Sequence, residues 1–207
     1  RFHLRVLSFS RFMKELYLGR YIITNLCSIG FQIKLVLSGN KAMEPNFDAF
    51  QLIGQIALGI IGFSAILIGL SRTSDGFSDP DNFRIQLLTY SAFGSMFGSI
   101  VPFAIFGDKN FEVAWLICFW IVSLYSVIGL IIFPRRMLQL RRLGHEDIFP
   151  IKLYLFQTGI LSTIFILSLL MITRNFYAPS QIYIVCLVLY LIQSSVAFIR
   201  TLFFRVH

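Results

Sequence analysis

Five stretches of this chain, residues 50–70, 85–106, 113–133, 153–173 and 181–199, are apolar and carry no ionisable side chain near their middles. Each is 19 to 22 residues long. About 20 apolar residues in a helix cross the roughly 30 Å hydrocarbon core of a bilayer. Inside that core no water is present to satisfy a backbone N–H or C=O, so a span made of one segment must be helical. The predicted fold class is therefore all-α, a polytopic transmembrane helix bundle with five spans. The chain is 14% charged, against about 25% in soluble domains. The longest polar connection between spans, residues 134–150, leaves no room for a separate soluble domain.

Residues 1–42 differ in composition from the rest of the chain. They hold seven Lys/Arg (Arg1, Arg5, Arg11, Lys14, Arg20, Lys34, Lys41) against one acid, Glu15. Their best apolar window, 21–38, is interrupted by Asn25, Gln32 and Lys34, and a lysine near a span centre costs about 2.5–3.5 kcal/mol on insertion scales. Two readings compete. In one, Met43 begins the functional protein and residues 1–42 are upstream sequence. In the other, 21–38 is a weak sixth span or an interfacial helix. The predicted organisation is a basic N-terminal extension, 1–42, and a helix bundle, 43–207.

The net charge of +8 does not call for nucleic acid as a partner. No basic helix with base-stacking aromatics accompanies it, and basic flanks beside apolar spans are what membrane orientation requires. Lys/Arg counted by side give Arg72, Arg84, Arg135, Arg136, Arg141, Arg142, Lys152, Arg200 and Arg205 on one side, and only Lys109 and Arg174 on the other. The positive-inside rule then places the arginine-rich 134–150 connection and the C-terminus in the cytoplasm.

Small residues suggest how the spans pack. Gly59, Gly62 and Gly69 share one face of the first span, with Gln55 one turn before them. The second span carries Gly94-x-x-x-Gly98 and a ladder of Ser91, Ser95 and Ser99. Without a hydrophobic drive between helices in lipid, small residues let backbones approach closely. The glycine face of span one is expected to meet the small-residue faces of span two, or else to serve a homo-oligomer. Gln55, Ser91, Ser95 and Ser99 form the candidate polar or pore face. Pro102 is expected to kink span two or free a carbonyl. Trp115 and Trp120 are expected as interface aromatics. Asp79 before Pro80 reads as a helix cap followed by a first-turn proline.

Arg135, Arg136, Arg141 and Arg142 are spaced for a short amphipathic helix lying on anionic lipid headgroups. His145, Glu146 and Asp147 read as a solvated loop, since three adjacent residues cannot converge on one ion. Asp75, Asp79 and Asp81 lack the spacing of a calcium loop. Cys27, Cys118 and Cys186 sit singly in apolar stretches and read as small buried hydrophobes. No catalytic signature appears, neither HExxH, GxSxG, a P-loop nor CxxCH. No catalytic residue, metal site or cofactor is expected.

The run Gly59-Ile60-Ile61-Gly62-Phe63-Ser64-Ala65, the polar connection with Arg72 and the second span opening near 81–84 resemble a group of small, uncharacterised bacterial multi-span membrane proteins with a glycine-rich first helix. The resemblance covers residues 43–107 and implies a start at Met43 and a bacterial inner membrane. It implies no activity. The expected function is a non-enzymatic interaction, sensor or accessory component with the lipid bilayer as its first partner. An oligomeric channel or small-solute permease, and an enzyme acting on lipid, are the alternatives.

Overall fold

The computed structural model describes residues 44–70, 78–107, 111–144, 149–173 and 178–203. Expectations that concern residues 1–42, the start at Met43, Asp75 and His145-Glu146-Asp147 fall outside the described residues. The described chain forms five helices: α1 Phe47–Leu70, α2 Asp79–Ile105, α3 Phe111–Arg142, α4 Ile151–Thr173 and α5 Pro179–Phe203. All five are long and apolar enough to cross a membrane. The all-α transmembrane bundle is therefore the architecture of the described residues.

The helices begin a few residues before hydropathy alone would start them, and local chemistry explains two cases. Asn46 caps α1, its Oδ1 accepting from the Ala49 N–H at 3.1 Å. The Asn46 N–H also donates to Ser180 Oγ at 3.2 Å, which ties the start of α1 to the start of α5. For α2 the cap is Ser78, not Asp79. Ser78 Oγ accepts from the Asp81 N–H at 3.4 Å and donates to Asp81 Oδ2 at 2.7 Å. The Ser78 hydroxyl thus satisfies one free N–H of the first turn and holds the Asp81 carboxylate beside it, so the cap falls at Ser78 and Asp79 becomes the first helical residue.

The larger departure is α3. The sequence suggests a span ending at 133 and a separate headgroup helix after it. Instead one helix of 32 residues runs through Pro134 to Arg142. At 1.5 Å per residue it is about 48 Å long, well beyond the roughly 30 Å of hydrocarbon. Its last turns therefore stand outside the membrane core.

α2 packs on α1, α3 and α5; α5 packs on α1, α2 and α4; α3 and α4 form the remaining long contact. Towards the α1 start lies an aromatic cluster of Phe50, Trp115, Phe119 and Tyr183, with ring centroids 5.5–6.4 Å apart in mostly edge-on arrangements. Trp115 belongs to this core and is only 4% exposed. Its expected role as an interface anchor is thus corrected, because its side of α3 faces Phe50 and Tyr183. Trp120 points outward. At the opposite end Phe83, Phe133, Met137, Phe149 and Ala197 form a second cluster.

Polarity is arranged as a bilayer demands. Phe63, Leu124 and Leu155 are more than 60% exposed, whereas Ser91, Ser95, Ser126, Gln193 and Ser194 are fully buried. Lipid solvates hydrocarbon side chains but cannot satisfy hydroxyls and amides.

Candidate functional site

The glycines of α2 face α3 and α5, not α1. A Cβ at Gly94 would stand 2.6 Å from Tyr125 Cε1, and one at Gly98 would stand 2.5 Å from Leu187 Cδ2. On α3, a Cβ at Gly129 would stand 2.9 Å from the Tyr90 ring. Each missing side chain makes room for a large one from a neighbouring helix. Tyr90 and Tyr125 stack with ring centroids 4.3 Å apart. Tyr125 Oη donates to the Tyr90 carbonyl at 2.8 Å, and Tyr90 Oη donates in return to the Tyr125 carbonyl. α2 and α3 are thereby clasped by two phenols acting in opposite directions.

Pro102 has the second of its two expected consequences. It offers no N–H to the carbonyl four residues back, which is that of Gly98. Tyr183 Oη, fully buried on α5, donates to that carbonyl at 2.7 Å. Sequence reading missed Tyr183. The available signal was the four-residue step from Pro102 to Gly98, which marks an acceptor needing an outside donor.

The serine ladder divides between two neighbours: Ser95 meets α5, and Ser99 turns towards Gly54 of α1. Ser95 Oγ donates to the Leu187 carbonyl at 3.2 Å, Ser99 Oγ to Met96 O at 2.7 Å, and Ser194 Oγ to Leu88 O across the α2–α5 seam at 3.4 Å. Ser91 is also fully buried. The four candidate pore residues do not form one lining: Gln55 and Ser99 share the α1–α2 groove, while Ser91 and Ser95 are fully buried. The expected pore face is corrected in part: Ser91 and Ser95 are fully buried, Ser95 against α5, whereas Gln55 and Ser99 stay on an open groove.

The expected pairing of glycine faces is corrected as well. α1 does pack on α2, but through Phe47, whose ring meets Phe103 and Phe106, and through Gly54. A Cβ at Gly54 would stand 2.6 Å from Ser99 Oγ. Gly59, Gly62 and Gly69 are exposed and, among the described residues, have nothing within 4 Å of a Cβ position. The reason is that Phe50, Ile53, Ala57 and Ser64 define a different stripe, and large side chains win the contact with the core. Beside the glycine stripe, Gln51, Gln55, Met96, Ser99 and Phe103 line an open groove of about 370 Å³ between α1 and α2.

Pro134 repeats the situation of Pro102 on α3, with the Leu130 carbonyl deprived of its helical donor. Next to it Phe133, Gln157, Thr158 and Gln193 line a small cavity. Gln193 is fully buried there, and among the described residues neither atom of its amide has a hydrogen-bond partner.

At the far end of α3 the four arginines separate. Arg141 Nη1 donates to the Phe149 carbonyl at 2.8 Å, pinning the chain before α4. Arg136 donates to Gln86 Oε1 on α2. Arg135 and Arg142 are exposed. They extend a transmembrane helix; the short separate helix expected on the headgroups is not formed. Nearby, Arg84 pairs with Asp81 at 3.1 Å and lies 5.7 Å from the Phe149 ring, the pair being almost wholly buried.

Cys118 and Cys186 are buried free thiols, as their apolar settings suggested. Among the described residues no group of three His, Cys, Asp or Glu is placed to hold a metal ion. Compared with protein-family models, curated proteins and solved structures, the chain matches none.

Proposed function

We propose that this chain is a non-enzymatic component of a bacterial cytoplasmic membrane that works by association, with α1 presenting its outer face to a second copy. The observation that carries the reading is the exposed line of Gln55, Gly59, Gly62 and Gly69 on a membrane-spanning helix. Gln55 lies eight residues into α1, about 12 Å from its start and so below the membrane surface. An amide exposed to hydrocarbon lacks partners there, which favours burial against another helix. The glycines beside it would let that helix approach closely.

A copy is the favoured occupant because the stripe is self-complementary. Copies inserted in the same direction are related by an axis along the membrane normal, which brings identical depths together. Gln55 then meets Gln55, and an amide both donates and accepts. The nine-to-two arginine and lysine distribution supports a cytoplasmic C-terminus.

The test is disulfide trapping in membranes. Gln55→Cys and Gly59→Cys are expected to give cross-linked dimers on mild oxidation, and Ile56→Cys, exposed on another side of α1, is expected to give none. Equal trapping at all three positions, or at none, would overturn the reading. Trapping to a different protein would replace the second copy with a foreign helix. Labelling of Arg142→Cys by a membrane-impermeant thiol reagent in intact cells would overturn the orientation.

A further inference from the structure

We infer that the groove at the extended end of α3 binds one phospholipid headgroup that carries both a phosphate and a primary ammonium. The groove has a volume of about 550 Å³ and is lined by Asp79 of α2 and by Ile131, Ile132, Arg135, Arg136 and Gln139 of α3.

Depth comes first. Ile131 and Ile132 are 20 and 21 residues beyond Phe111, so about 30 Å along the helix, which is the thickness of the hydrocarbon core. Both are about half exposed and face acyl chains. Arg135 and Arg136 follow one turn later, at about 36 Å, where phosphates lie. The order of side chains along α3, apolar and then guanidinium, is the order of groups in a lipid read from chain to headgroup.

Charge comes second. Two guanidiniums on consecutive positions offer planar donors suited to a phosphate. Arg136 is held in place by its bond to Gln86, and Gln86 Nε2 is itself bonded to Asn82 Oδ1 at 3.3 Å. An anionic surface alone would account for arginines, but Asp79 stands on the same groove. Among the described residues the ion pair at this end joins Arg84 to Asp81, and the exposed Asp79 lines the groove. A carboxylate opposite a guanidinium pair repels a second anion and complements an ammonium. A headgroup with a phosphate and a primary ammonium a few bonds apart matches both ends. A quaternary ammonium would lack the N–H donors. The site is independent of which leaflet faces the cytoplasm and of whether α1 pairs with a copy.

The experiment uses the full chain in detergent, with native mass spectrometry and thermal shift against three lipids of identical acyl chains: phosphatidylethanolamine, phosphatidylglycerol and phosphatidylcholine. Wild type is expected to retain and be stabilised by phosphatidylethanolamine most. Asp79→Asn is expected to lose that preference while still binding phosphatidylglycerol. Arg135→Gln is expected to weaken both by about tenfold, the scale of one charge-assisted contact. Arg142→Gln, an exposed arginine outside the groove lining, is expected to change neither. The inference is overturned if phosphatidylglycerol is preferred equally in wild type and Asp79→Asn, which would mean a generic basic surface. It is also overturned if no lipid is retained, or if Arg142→Gln weakens binding as much as Arg135→Gln.

Discussion

Two glycine-rich faces of this bundle look alike in sequence and have opposite fates. Gly94 and Gly98 of α2 are filled by Tyr125 and Leu187, so closely that a single carbon at either position would collide. Gly59, Gly62 and Gly69 of α1 meet nothing among the described residues. The difference does not lie in the glycines. It lies in what stands opposite: α5 brings Tyr183, Leu187 and Tyr190 to α2, whereas the core-facing stripe of α1 is Phe50, Ile53 and Ala57. A glycine stripe marks where a helix can approach, and the large residues of the neighbour decide whether one does.

The strongest way to break this contrast is to fill the α2 face. Gly94→Leu and Gly98→Leu are expected to destabilise the bundle by about 3 kcal/mol, the upper end for overpacking a tight core. Unfolding in a graded detergent–denaturant series measures this. A wild-type midpoint would mean that α2 does not pack this closely on α3 and α5.

Next in size is the carbonyl freed by Pro102. Tyr183→Phe keeps the ring but removes the donor to Gly98 O, leaving a buried acceptor unsatisfied at a cost of about 1–3 kcal/mol. The same substitution at Tyr154, outside that network, serves as the comparison in the unfolding assay.

A smaller effect of opposite sign is expected at Gln193. Its amide is buried without partners among the described residues, so Gln193→Leu, similar in volume, is expected to stabilise by about 1 kcal/mol. A loss of stability would instead mean that an internal water links Gln193 to Gln157 or to the carbonyl freed by Pro134.

The smallest effect on folding is expected on α1. Gly62→Leu is expected to leave the unfolding midpoint within about 0.5 kcal/mol of wild type, as for a surface position, while abolishing the Gln55→Cys cross-link. Folding and association would then be separated on a single helix.

Some features of the fold are legible in the sequence and others are not, for physical reasons. Among the described residues, span number and type followed from hydropathy and length, because lipid imposes them on each segment separately. Helix ends needed the local chemistry of Asn46 and Ser78. The length of α3 was misjudged because a proline in a spanning helix removes one bond without ending the helix, provided that the surroundings are protein. Trp115 was assigned to the interface from its position near a span end, although its azimuth on α3 turns it towards Phe50 and Tyr183. Asp79 and Arg135 are 56 positions apart and carry no shared motif; nothing short of the packed helices brings them to one groove.

By itself, then, the sequence determined that residues 43–207 hold five helices long and apolar enough to cross a bilayer, and where the positive charge is concentrated. Those properties depend on each segment against a uniform solvent, and need no knowledge of neighbours. Which glycine face is filled, which serines are sealed and which arginine shares a groove with an aspartate were decided only by tertiary structure. Lipid is almost indifferent to how apolar helices are rotated about their axes, so rotation is set by shape and by a few buried polar bonds between residues far apart in the chain.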